Sequence, residues 1–421
     1  MLASENRGNM RFTSLPLLLL ILFAAGASFA QPQGQIPEPI QGQGEETPVD
    51  RALAVGDFTA AIEMLRPLIA QGDPLAQYYM GQLYASGSGV TQSYTEAMRL
   101  FRGAAAGGIQ EAQVSIAMLY ANGNGVRKDV KQALKWLQGA ADSGLLDAQL
   151  MLASLYADGQ QGVPQNWAEA AKWFTKAARA GDVNAQLQLA TMYEDGQGVA
   201  KNEAEALRWF RAAADQGNVE AQYQVGLMYE NGIGSAPNAP QAARYYRMAA
   251  DQGFAQAQFN LGGMLAQGNG VPVNEKEALD LFKKAAAGGD VAAKVNVGTL
   301  LAFTDKDPDY EQATRYFTEA AAAGDAGGRV NLQLLAEDGF APAQYALGAA
   351  YENGWGGVKL LSEAIRWYRE AADLGYGLAQ YNLARMYETG TGAPKDLDQA
   401  QQWYQKAADN GVSEAKAKLK K

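Results

Sequence analysis

The stretch Ala185–Glu220, AQLQLATMYEDGQGVAKNEAEALRWFRAAADQGNVE, decides the fold, because most of the chain repeats it. The next stretch opens AQYQVGLMYENGIG at Ala221 and the one after it AQFNLGGMLAQGNGV at Ala257. Self-similarity at a fixed period marks a stack of supersecondary units, none of which can bury its apolar face alone. Within the unit, Ala185, Leu189, Met192 and Tyr193 fall three and four apart, which is one face of a first helix. Ala190 is small where most repeats carry Ala or Gly, so a second helix can approach closely. Gly196 and Gly198 end the first helix, since glycine takes a positive φ at little steric cost. The second helix opens at Asn202, and Glu205 three residues later completes the pattern of a capping box. Ala206, Trp209, Phe210, Ala213 and Ala214 form its buried face, and Gly217 closes it.

Outward from this unit, the cap position is filled by Ser93, Asp129, Asn166, Asn238, Asn274, Asp309 and Asp396, each followed three residues on by Glu or Gln; Leu360 alone breaks the pattern. The opening alanines are Ala76, Ala112, Ala148, Ala185, Ala221, Ala257, Ala293, Ala343 and Ala379, in steps of 36 with one of 37 and one of 50. The single extra residue sits at Gln160-Gln161. In the long step, a helix-like piece from Arg329 runs straight into Ala336-Glu337-Asp338-Gly339, which resembles the end of a second helix. Residues 302–342 are therefore an irregular zone, expected to act as a kink or hinge between two blocks. Val49 to Gly72 reads as a divergent opening repeat, and Ala415 to Lys421 as a polar closing cap, because terminal repeats must face water. The fold expected over 49–421 is all-α, a right-handed α/α solenoid of about nine two-helix repeats.

Residues 1–30 read as a secretory signal peptide: Arg11, an apolar run from Leu15 to Ala27, then Ser28-Phe29-Ala30 as a cleavage signal. Met10 is an alternative start. Residues 31–48, rich in Gln, Gly and Pro, read as a disordered linker. The expected location is the bacterial periplasm after cleavage near Ala30, with membrane attachment only through an uncleaved signal segment. The chain has 35 basic and 45 acidic residues, net −10, or −11 once the signal segment with Arg7, Arg11 and Glu5 is removed. That balance argues against nucleic acid, whose phosphates need a basic face. There is no cysteine and no histidine. Their absence removes disulfides, thiol catalysis, Cys or His zinc sites and Ser-His-Asp arrangements.

Ala-x-x-x-Leu-Gly-x-x-Tyr-x-x-Gly-x-Gly-Val followed by Ala-x-x-Trp-Tyr-x-x-Ala-Ala-x-x-Gly resembles the Sel-1-like repeat family, a longer relative of tetratricopeptide repeats. Ala379–Ala408, AQYNLARMYETGTGAPKDLDQAQQWYQKAA, shows the motif almost complete. The resemblance covers roughly Asp73 to Lys421. It implies a tetratricopeptide-like superhelix used as an adaptor that holds other proteins, in bacteria for envelope signalling, exopolysaccharide export or host interaction. A cysteine-rich branch linked to β-lactam binding is a poor match to a chain without cysteine.

The remaining motifs reduce to scaffold. Each Gly-x-Gly-Val loop follows a helix, whereas a phosphate loop follows a strand. Asp305-Lys306-Asp307-Pro308-Asp309 has the alternating look of a calcium loop, but Tyr310 and Tyr316 stand where Gly and Glu are needed. Glu194, Glu230, Glu352 and Glu388 at first-helix ends recur too regularly for a catalytic pair. No catalytic, cofactor-binding or metal-ligating residue is assigned, and no cofactor is expected. Trp136, Trp173, Trp209, Tyr245, Trp367 and Trp403, with Phe174, Phe210, Phe282 and Phe317 beside them, read as core. A second aromatic series, two residues after each opening alanine, lies away from Leu189 and Met192 on a helical wheel. First helices line the concave side of such a solenoid, so Tyr223, Phe259, Tyr345, Tyr381 and Arg385 are the candidate partner groove; aromatics and Arg are common interface anchors. The competing reading has these rings packing between repeats. The function expected is an exported scaffold binding a protein partner, with envelope polysaccharide as the alternative ligand and a cell-wall hydrolase as a weaker one.

Overall fold

The computed structural model describes residues 47–303 and 307–419. The segment read as a signal peptide, residues 31–46 of the segment read as a linker, Asp305-Lys306 of the Asp305–Asp309 run and the last two lysines of the closing cap lie outside the described residues. Within them the chain forms 22 helices and no strand. It divides into two compact units, one ending at Asn218 and one beginning at Val219. The irregular zone of 302–342 lies inside the second unit.

Most helices are 13 residues long. Isolated helices of that length are marginal in water, so tertiary packing holds them. The first unit opens with the helices Pro48–Ala54 and Phe58–Ala70 and continues as hairpins such as Val183–Asp195 with Glu203–Asp215. The second unit begins with the helix Val219–Asn231 and ends on the short helix Ser413–Leu419.

 The hairpin partner of Val219–Asn231 is Ala239–Asp251.

Within a hairpin the two helices differ. Second helices are amphipathic and bury one face: Trp173 is 1% exposed, and Trp209, Tyr245, Trp367, Trp403, Phe174, Phe210, Phe282 and Phe317 are buried with it, as the core reading expects, while Trp136 is half-buried. First helices are sandwiched between second helices and bury several faces. Besides Ala185, Leu189 and Met192, the helix Val183–Asp195 buries Gln186 and Leu187, and Tyr193 is half-buried. The small residue at the Ala190 position does allow close approach. At Gly348, in the same register, an added Cβ would lie 2.7 Å from the Tyr368 ring.

The loop chemistry is half of what the sequence suggests. Gly196 ends its helix at φ 75° with its N–H donating to Met192 O. Gly198 has a separate reason to be glycine. A Cβ there would fall 2.1 Å from Trp167 O, at the start of the preceding second helix. The cap side chains accept from the N3 amide as expected, for example Asn202 Oδ1 from the Glu205 N–H at 3.2 Å. The reciprocal half of the capping box is absent at this position. The Asn202 backbone N–H instead donates to Tyr193 O at 2.9 Å, closing the hairpin. Freed of that task, Glu205 pairs with Arg208 at 2.8 Å, and Glu96, Glu169 and Glu363 likewise pair with Arg99, Lys172 and Arg366. The same backbone bond explains how Leu360 serves at a cap without a polar side chain: its N–H still donates to Tyr351 O at 3.0 Å.

The long step between Ala293 and Ala343 contains one unpaired helix, Ala326–Glu337. It starts as first helices do, with Asp325 Oδ1 accepting from the Gly328 N–H at 3.0 Å. It ends as second helices do, with Gly339 at φ 83° and the Phe340 N–H donating to Leu335 O. A single helix has fused the opening of one with the close of the other. Leu332 and Leu335 bury it in a cluster with Phe317, Leu347 and Trp367.

Candidate functional site

The proposed groove residues all lie in the second unit, and none stands free of the packing. The Tyr223 ring is 5.8 Å from Tyr246 and 5.1 Å from Phe254. Phe259 meets Phe282 edge-on at 5.7 Å. Tyr345 is 5.8 Å from Tyr368 and 5.3 Å from Tyr376, and Tyr381 is 5.5 Å from Tyr404. Each of the four rings is half-buried. Their position faces the second helix of the same repeat, so one side of the ring packs and the rest meets solvent. Where the first unit carries Tyr78, Leu150 and Leu187 in this register, the side chain is buried. Arg385 is also engaged: its Nη2 donates to Glu352 Oε1 at 2.6 Å.

Beside these rings runs a polar series that the sequence reading took only as helix-end carboxylates. The Tyr246 hydroxyl donates to Glu230 at 2.5 Å, Tyr368 to Glu352 at 2.9 Å and Tyr404 to Glu388 at 2.6 Å. The signal was available. In these repeats a Tyr replaces the usual Phe or Leu of the second helix, and a Glu stands 16 residues before it. Burial, and then the carboxylate that accepts the proton, push the Tyr246 phenol far above its usual range. For Tyr368 the order is burial and then the charge of Glu352. Lys418 donates to Glu388 at 2.7 Å and, with the Tyr404 hydroxyl, holds that carboxyl below the usual carboxylate range. Asn382 beside Tyr345 and Tyr368, and Asn260 beside Tyr223 and Tyr246, partly offset the upward push of burial on these phenols.

A second missed series is structural. Gln149, Gln186, Gln258, Gln344 and Gln380 follow their opening alanines, are buried, and donate Nε2 to the last-turn carbonyl of the preceding second helix at 3.0–3.2 Å. They satisfy carbonyls that a helix end would leave orphaned. The dipeptide Ala-Gln at every opening except Ala293-Lys294 was legible, but its partner eight residues back was not. Chemically, the carboxylates at the first-helix ends of the second unit are fixed acceptors held by hydroxyls and, at Glu352 and Glu388, by cations. Among the described residues no group of three or more acidic side chains is placed to hold a metal ion.

The Sel1 repeat profile matches nine segments: residues 74–109, 110–145, 146–182, 183–218, 219–254, 255–290, 293–325, 341–376 and 377–412. The unpaired helix Ala326–Glu337 falls between the seventh and eighth. No curated protein matches the chain. Among solved structures, it is similar to a protective antigen present in uropathogenic Escherichia coli strains that displays an SLR fold, at 30% identity over 86% of this chain and 82% of that one, with a TM-score of 0.51. A Sel1 repeat protein from Oxalobacter formigenes is 27% identical over 91% of this chain and 97% of that one, with a TM-score of 0.48. With its period, its glycine loops and its paired helices all accounted for by nine matched repeats, the chain belongs to the Sel1 repeat family.

Proposed function

We propose that the chain is an exported, non-enzymatic scaffold that holds a protein partner against the first-helix face of its second unit. One observation carries this reading. Tyr223, Phe259, Tyr345 and Tyr381 present half-buried rings in the same register of their first helices. Rings anchored on one side and wetted on the other lose little conformational freedom when a partner covers them, which favours them as interface anchors. Proteins built from Sel1 and tetratricopeptide-like solenoids are in general protein-interaction scaffolds, which supports the class. Export rests on the sequence of residues 1–30.

The test separates binding from packing. Leu150 and Leu187 fill this register in the first unit, so Leu is a packing-compatible replacement for Tyr. The chain from Gln31 and its Tyr345→Leu, Tyr381→Leu double variant are used side by side in crosslinked capture from a bacterial envelope extract. The expected result is a protein enriched by the parent and lost by the variant, with melting within a few degrees. Equal capture by both overturns the assignment of the face, and recovery of carbohydrate without protein overturns the partner class.

A further inference from the structure

The polar series of the second unit is complete in two repeats and incomplete in a third. Glu352 takes the Tyr368 hydroxyl on Oε2 at 2.9 Å and the Arg385 guanidinium on Oε1 at 2.6 Å. Glu388 takes the Tyr404 hydroxyl at 2.6 Å and the Lys418 ammonium at 2.7 Å. Glu230 takes the Tyr246 hydroxyl on Oε2 at 2.5 Å, and no ion pair to it is formed by a Lys or Arg among the described residues. Arg247, which follows Tyr246 in the chain, is paired with Glu277.

Register shows what is missing. Glu230, Tyr246, Asn260 and Gly263 stand where Glu352, Tyr368, Asn382 and Arg385 stand in the complete copy. A Cβ added at Gly263 would meet nothing within 4 Å. Its neighbour Gly262 is different, because a Cβ there would lie 2.9 Å from the Phe282 ring. Packing therefore explains Gly262 but not Gly263, although a helix-interior glycine costs about 1 kcal/mol against alanine. The helix Ala255–Gln267 is open around the Cβ position of Gly263, where the complete copy carries Arg385.

We propose that Glu230, Tyr246 and the open position at Gly263 form a seat for an arginine side chain of the protein partner. The partner supplies in trans the guanidinium that Arg385 supplies to Glu352 within the chain. Arginine fits better than lysine. Its planar fork engages a carboxylate while lying on an aromatic face, and the Tyr223 ring stands beside the Tyr246 ring here. The net charge of −10 complements a cationic ligand. The inference rests on the scaffold reading and deepens it by naming the side chain recognised.

The experiment probes an array of short random peptides with Arg, Lys and Gln at equal frequency. It uses the chain from Gln31 and its Gly263→Arg, Glu230→Gln and Arg385→Gly variants. The expected outcome is arginine enrichment with the parent. An arginine peptide selected this way should bind about tenfold or more weakly to Gly263→Arg and Glu230→Gln, as loss of a charged hydrogen bond implies. Gly263→Arg should melt no lower than the parent, since it fills open space and removes a helix glycine. Arg385→Gly should gain a second arginine preference by opening the seat at Glu352. Peptides bound without arginine preference, or a preference unchanged in Gly263→Arg, overturn the seat and leave the scaffold reading standing. Failure of the parent to bind any peptide counts against both.

Discussion

The two units solve the same seam between paired helices with different chemistry. In the first, Phe101, Leu137, Phe174 and Phe210 fill the second-helix position that faces the first helix, and all are buried. In the second, that position stays Phe at Phe282 and Phe317 but is Tyr at Tyr246, Tyr368 and Tyr404, and each of these hydroxyls is held by a first-helix carboxylate. The ring burial is nearly the same, so both seams draw similar hydrophobic stabilisation. Direction is what differs. A Phe seam can slide or rotate with little loss, whereas a Tyr–Glu seam fixes a carboxylate at the helix end and offers its other oxygen outward. The stacking chemistry is shared by both units, and only the second adds oriented charge.

The largest expected effect tests the shared part. Phe174→Ala should destabilise the first unit by about 3–5 kcal/mol, the usual range for removing a buried aromatic. Hydrogen exchange read repeat by repeat is the right measurement, because long repeat arrays do not always melt as one. A loss under about 1 kcal/mol would mean that the Phe seam is not core. Next in size is Tyr368→Phe, which keeps the ring and removes the bond to Glu352. A hydrogen bond to a charged group is worth about 1.5–3 kcal/mol, and that is the expected local loss. No change in exchange at the end of the helix Ala341–Asn353 would erase the distinction between the seams.

Period, loop glycines and aromatic core were legible because each is a local pattern repeated many times. Trp173 and Phe210 sit where periodicity puts them. Partners set by three-dimensional neighbours were not legible. Asn202 and Glu205 spell a capping box, yet the Asn202 N–H bonds Tyr193 O across the hairpin, which no local spacing reveals. A helical wheel turns Tyr345 outward, but it takes no account of the second helix that covers that flank with Tyr368. Nothing in the local pattern around Gln186 names its partner, the Ala178 carbonyl, to which its Nε2 donates at 3.1 Å. The fused helix Ala326–Glu337 was readable from its two ends, since the start and stop signals of both helix types survive in it.

The smallest expected effect is the sharpest test, because it transplants one seam into the other. Phe174 and Phe210 are both buried Phe residues in the first unit, but their first helices differ at the carboxylate position. Ala157 stands there for Phe174, and Glu194 for Phe210. Phe174→Tyr therefore adds a hydroxyl without its carboxylate and should cost about 1 kcal/mol at any pH. Phe210→Tyr adds the same hydroxyl opposite a waiting acceptor. Burial of the Glu194 carboxyl, and then the charge of Asp195, raise its pKa above the usual carboxylate range. A carboxyl raised in the folded state makes stability fall as pH climbs from its unfolded value through its folded one. A donor hydroxyl lowers that folded pKa, so Phe210→Tyr should recover stability above this window and gain nothing below it. Glu194 is exposed as a residue, so solvent screening keeps the expected gain to about 0.5 kcal/mol at neutral pH. The pH series of both variants, followed by exchange in the helix Val183–Asp195 for Phe210→Tyr, gives the answer. A pH-independent loss in both would show that the Tyr–Glu seam needs more of the second unit than its two named residues. A gain confined to Phe210→Tyr at neutral pH would show that the pair is sufficient, and that any Sel1 hairpin can be made to present a fixed carboxylate by two side chains.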